Sequence, residues 1–183
     1  MNKIYQFIAV LCFSFISVAG YSQPKPDLKV YIIRHGEKPV DGDNLTCKGL
    51  NRAMQLPAVL KEKMGIPDYI FVPSLSTAEK TKHARMFETI VPFAVKYNLK
   101  INSSHTNEEY KNIAEDIRSK KGTILMVWEH KALTGIIQAL GVKEELHWAD
   151  DDFDSIWIVT ITGKNATLSK DIEGLHPQDD CSF

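Results

Sequence analysis

The chain has 183 residues, 44% of them hydrophobic and 25% charged, the balance of a globular protein with one buried core. Lys plus Arg number 22 against 23 Asp plus Glu, so the net charge of −1 offers no global field to a polyanion and argues against a nucleic-acid binder. Three cysteines are too few for a disulfide scaffold.

Residues 1–22 read as a leader rather than as fold. Lys3 precedes an apolar run from Ile4 to Ala19, and small residues follow at Gly20 and Ser22. That order describes a secretory signal peptide, cleaved after Gly20 or Ser22. Residues 23–28, with Pro24 and Pro26, read as an extended linker, and residues 29–183 as a single domain. The expected address is therefore exported, periplasmic or secreted, with no stable membrane span once the leader is gone. Only Cys47 and Cys181 remain after cleavage, and an oxidising compartment permits their pairing without dictating it.

The domain opens with a β-branched strand over Lys29–Ile33. Thr46 can cap a helix from about Lys48 to Met64, kinked at Pro57. Tyr69–Val72 is a second strand, and His83–Tyr97 a helix kinked at Pro92. Leu99–Ile101 reads as a third strand, Asn107–Ser119 as a polar helix, and Thr123–Trp128 as the most apolar strand. Ala132–Leu140 is a helix closed by Gly141. Ser155–Ile161 and Ala166–Ser169 form a hairpin around Gly163. Alternating strands and helices predict a three-layer α/β/α sandwich with a mostly parallel sheet and an antiparallel edge.

In such sheets the chemistry sits beyond the carboxyl ends of the strands. Arg34-His35-Gly36-Glu37-Lys38 follows the first strand, and Glu129-His130 follows Thr123–Trp128. If those strands are neighbours, two imidazoles share one crevice. Gly36 permits a tight turn there. An arginine fork suits phosphate oxygens, and a neutral histidine can act as nucleophile.

Four segments then carry a resemblance. Arg34-His35-Gly36-Glu37-Lys38-Pro39 looks like the opening motif of the histidine phosphatase superfamily, which includes phosphoglycerate mutases and acid phosphatases. Leu45 to Ala53 resembles its L-T-x-x-G-x-x-R/Q-A segment. Arg85-Met86-Phe87-Glu88-Thr89, followed by Pro92, resembles the segment with the second arginine, and Val127-Trp128-Glu129-His130 the segment with the second histidine. The resemblance implies that His35 forms a phosphohistidine, that Arg34 and Arg85 hold the phosphoryl oxygens, that His130 donates to the same group, and that Lys38 adds a phosphate contact. It also implies a phosphoglycerate mutase-like sandwich. No cofactor and no metal are implied; the expected partners are a small phosphorylated substrate and inorganic phosphate as product.

Two departures accompany it. Ser74 lies eleven residues before Arg85, so Leu75 to Ala84 must be an added loop, and Thr77-Ala78 with Thr81 is a rival alignment. Lys131 stands where phytase-like members place an aspartate. The proton donor is left open among Glu37, Glu79, Glu108, Glu109 and Glu129, with Glu129 expected to face away from His130. Asp150 to Asp154 reads as a solvated loop leading into a strand, and Arg52, which sits in a matching segment, could equally pair with a neighbouring acid. The expected activity is phosphomonoester hydrolysis. The alternatives are a phosphate-binding module of the same fold with little turnover, or a phosphohistidine phosphatase.

Overall fold

The computed structural model describes residues 28–76 and 79–182. The leader and the linker up to residue 27 lie outside the described residues, as does the rival pair Thr77-Ala78. Leu28, read as linker, is already strand; it is buried and pairs with Gly122 and Ile161.

The elements in chain order are β1 Leu28–Arg34, α1 Cys47–Met64, β2 Tyr69–Pro73, α2 Ala84–Tyr97, β3 Ile101–His105, α3 Tyr110–Arg118, β4 Gly122–Trp128, α4 His130–Ala139, β5 Ser155–Thr162 and β6 Asn165–Ile172. One six-stranded sheet runs β3-β2-β4-β1-β5-β6. β3, β2, β4 and β1 are mutually parallel, β5 runs antiparallel to β1, and β6 returns antiparallel to β5. The expected mixed sheet is therefore present.

Strand alternation divides the core between two faces. Val30 and Ile32 of β1, Met126 and Trp128 of β4 and Trp157 of β5 pack on Ile113 and Ile117 of α3 and Leu133 and Ile136 of α4. Tyr31, Ile33, Leu125 and Val127 point the other way, against Leu56 and Leu60 of α1 and Ile90 and Phe93 of α2. Both faces of β1 and β4 are thus covered, which is why these strands read as continuous apolar runs.

Several boundaries move, and the last strand extends from the expected Ala166–Ser169 to Asn165–Ile172. The third strand is Ile101–His105 rather than Leu99–Ile101. Asn98 adopts a left-handed conformation at the end of α2, and Leu99 N–H still bonds Ala94 O, so the chain has not yet turned into the sheet. α3 begins at Tyr110, which leaves Asn107 in a loop, and α4 begins at His130 itself, not Ala132. Among the described residues no helix is long and apolar enough to cross a membrane.

Candidate active site

β1 and β4 are neighbours in register, with Arg34 opposite Trp128. His35 N–H adds one more bond to that ladder, donating to Trp128 O at 3.3 Å, and His130 follows one residue past Glu129. The two histidines therefore leave adjacent strands at the same end of the sheet.

The turn after β1 is fixed by close backbone packing rather than by a left-handed glycine. Gly36 has no positive φ. A Cβ there would lie 2.8 Å from Gly49 O, and a Cβ on Gly49 would strike the backbone of Glu37. The glycines of the first two motifs thus let the turn lie directly on the start of α1. Thr46 caps α1 by accepting from Gly49 N–H and also bonds Glu37 O through both its amide and its hydroxyl. From the other side Gly36 N–H donates to Thr89 Oγ1 on α2 at 2.9 Å, and Thr89 in turn donates to Arg85 O. Leu45 N–H bonds Glu88 Oε2. Glu88 and Thr89 thus clamp the β1–α1 connection to the helix that carries Arg85.

His35 is buried, and its Nδ1 lies 2.8 Å from Gly36 O. A carbonyl can only accept, so Nδ1 carries the proton and Nε2 keeps its lone pair. Burial pushes the His35 pKa down to about 3; the Gly36 carbonyl opposes this, and the charges of Arg34, Arg85 and His130 add to it. The ring is therefore a neutral imidazole with a free nucleophilic nitrogen at neutral pH.

Arg34 is also buried. Its Nη1 donates to the carbonyls of Asp150 at 2.6 Å, Asp152 at 3.2 Å and Ala149 at 3.5 Å, and its guanidinium stacks 4.0 Å from the centre of the Phe153 ring. Arg85, on the first turn of α2, donates from Nη1 to Gly42 O. His130 Nε2 meets Asp150 Oδ1 at 2.8 Å. Burial lowers the His130 pKa, as does Arg34, while Asp150 and Glu129 oppose the shift. Arg34 Nε, Arg85 Nε and His130 Nδ1 are buried without a hydrogen-bond partner. Buried guanidinium N–H groups are costly unless something accepts from them, and an oxyanion at the His35 ring would do so; His130 Nδ1 joins them as a donor only when the ring is charged, because the Asp150 carboxylate takes the Nε2–H. Lys38 is exposed, and its ammonium donates to Pro39 O at 3.4 Å.

The open question of the acid narrows. Glu37 is not free: Arg52 grips both its oxygens, at 2.8 and 3.0 Å, and also binds Glu173 at 2.5 Å and Asp154 at 3.2 Å. Glu109 accepts from Thr106 N–H and Asn112, bonds that hold its pKa below the usual value. Glu129 accepts from Asn107 Nδ2 at 3.0 Å; its backbone is extended, yet its charge still acts on Arg34 and His130. Glu79 and Glu108 are exposed.

The acidic loop Asp150–Asp154, expected to be a solvated lead into a strand, is exposed at Asp150 and Asp151 but also folds over the site with Ala149. It supplies carbonyls to Arg34, a carboxylate to His130, and the Phe153 ring, whose centre lies 6.2 Å from that of His35. No sequence signal picked out Asp150, because an acidic run looks the same whether or not it folds over a site.

No protein-family model and no curated protein matches the chain. Solved structures do. The protein histidine phosphatase SixA complexed with tungstate superposes with a TM-score of 0.61 at 16% identity, over 79% of this chain and 97% of that one. Phosphoglycerate mutase from Bacillus anthracis gives 0.53 at 13%, over 79% and 92%. A phosphoserine phosphatase mutant from Entamoeba histolytica, in complex with phosphoserine, gives 0.50 at 14%, over 80% and 97%. Sheet order, layers and these likenesses agree: the fold is a phosphoglycerate mutase-like α/β/α sandwich, shared with the histidine phosphatase SixA.

Proposed function

We propose that the protein is an exported phosphomonoesterase that passes a phosphoryl group from its substrate to His35 Nε2 and then to water. The observation that carries this is the pair of buried, unpartnered guanidinium donors on Arg34 and Arg85 beside a neutral imidazole, with the unpartnered His130 Nδ1 among them. Such donors stabilise charge on the equatorial oxygens of a transferring phosphoryl group, and they are already oriented before substrate arrives. Arg34 is anchored by three carbonyls and Phe153, Arg85 by Gly42, so neither has to find its place during the reaction. Lys38, on the same turn and exposed, is available to a phosphate that reaches the mouth of the site.

The fold likeness to phosphatases, one with tungstate and one with phosphoserine, supports a phosphate-bearing ligand. Export is supported by the leader-like residues 1–22 and by the Cys47–Cys181 disulfide, a bond that persists in oxidising compartments. An exported enzyme meets phosphate esters of the cell envelope rather than cytoplasmic intermediates.

The test is turnover of an aryl phosphate by the mature protein between about pH 5 and 8, beside His35→Ala. Wild type should turn over and yield an acid-labile, alkali-stable phosphoprotein, and the variant should do neither while still binding inorganic phosphate. Wild-type turnover no greater than that of the variant, with phosphate still bound, would reject the enzyme and leave a phosphate-binding module. A marked preference for phosphohistidine over alkyl phosphates would redirect the substrate class.

A further inference from the structure

We propose that Asp150 is the positioning residue that holds His130 as the imidazolium acid protonating the leaving group, in place of a glutamic or aspartic acid in direct contact with substrate. This rests on the phosphatase reading of the same site. The geometry has three parts. Asp150 Oδ1 lies 2.8 Å from His130 Nε2, while Asp150 O receives Arg34 Nη1, so one residue braces both the arginine and the histidine. His130 Nδ1 is buried without a partner, free to face a substrate oxygen. Two of the candidate carboxylates near the site are otherwise engaged, Glu37 by Arg52 and Glu129 by Asn107.

The groups that face His130 are Arg34 from β1, His35 from the turn after it, Glu129 from its own helix cap, and Asp150 from the loop before β5. Arg34 and burial favour the neutral ring; Asp150 and Glu129 favour the charged one. The dianion of a phosphate ester adds two negative charges at the same place, which tips the balance toward imidazolium when substrate is bound. Asp150 itself is held ionised by its bond to His130.

The step balances. His35 Nε2 donates its lone pair to phosphorus, the ester P–O bond breaks, and the leaving alkoxide takes the proton from His130 Nδ1. His130 is then neutral, with its remaining proton on Nε2 held by Asp150. Water next attacks the phosphohistidine, the P–N bond breaks back to His35 Nε2, and one proton of that water returns to His130 Nδ1. Phosphate departs as the dianion, and both histidines are restored.

The experiment compares wild type, Asp150→Asn and Asp150→Glu on an alkyl phosphate and on 4-nitrophenyl phosphate, whose leaving group needs little proton help. Asp150→Asn should lower kcat/KM for the alkyl ester about 100-fold and for the nitrophenyl ester by no more than about threefold, with the alkaline limb of the alkyl profile moved to lower pH; Asp150→Glu should recover part of the loss. Equal losses on both esters, or none, would overturn the proposal. A second readout does not need turnover. Ring nitrogen NMR of His130 with inorganic phosphate bound should show its titration moving to lower pH in Asp150→Asn. An unmoved midpoint overturns the pairing even in a protein that hydrolyses nothing. Absence of turnover and of phosphohistidine in wild type would instead sink the phosphatase reading.

Discussion

A single hydroxyl, that of Thr89, connects the helix that carries Arg85 to the turn that carries His35. It is buried, accepts from Gly36 N–H and donates to Arg85 O. Thr89→Val keeps the shape and strands the amide, which costs about 1–3 kcal/mol; Thr89→Ser keeps the bond and should cost less. Urea unfolding of the two variants checks this, and kcat/KM should fall with Val more than with Ser because the His35 turn loosens. A Val variant as stable and active as Ser would show that the bond does not set the turn. At this scale the sequence was informative where a motif is contiguous. Arg34, His35 and Gly36 are neighbours, so their joint placement needed only one strand end. Thr89 could be seen as part of a pattern, but its partner is 53 positions away. Asp150 reaches His130 across 20 positions from a loop with no periodicity, and nothing local separates it from Asp151.

Between elements, Arg52 of α1 gathers Glu37 from the turn after β1, Asp154 from the entry to β5 and Glu173 from beyond β6. One guanidinium facing three carboxylates leaves an excess of negative charge, so the deepest acid is the one that takes a proton. Burial drives the Glu173 pKa up; Arg52 opposes it, Asp154 and Glu37 reinforce it, and the group reaches about 8 from 4.5. A raised carboxyl pKa means that the native state keeps a proton the unfolded chain has released. The stability from this group is therefore complete below about pH 4.5 and drains as pH rises through about 8. Glu173→Gln removes the titration and keeps the shape. Its urea midpoint should stay near wild type at about pH 5 and lie above it at about pH 9, so the two profiles diverge. Parallel profiles would show that Glu173 does not hold a proton. Elements with two covered faces, such as β1 and β4, were legible because burial writes itself as apolar runs. β3 was misplaced because it is an edge strand, Ile-Asn-Ser-Ser-His, with a polar, half-exposed pattern that propensity does not distinguish from a loop.

Across the whole molecule, the far end of the chain is brought back to the start of α1. Cys181 is bonded to Cys47, a closure over 134 positions with the Cα atoms 5.0 Å apart. Asn51 donates to the carbonyls of Gln178 and Asp180, and Gly174 and Leu175 N–H bond the Asp154 carboxylate. Cross-linking so large a loop restricts the unfolded chain severely, which by loop entropy approaches about 4–5 kcal/mol; the polar contacts of the tail would hold part of it in place without the bond. Cys47→Ser with Cys181→Ser should therefore lower unfolding free energy by about 2–4 kcal/mol in urea, and reduction of wild type should do the same. Activity responds differently. The His35 turn is held by Thr89, Gly49 and Arg52, none of which depends on residues 176–182. The double variant should keep kcat/KM for an aryl phosphate within about twofold of wild type at temperatures where it stays folded. A collapse of kcat/KM with native circular dichroism retained would mean that the tail shapes the site. An unchanged urea midpoint would mean that the tail contacts alone anchor the chain end.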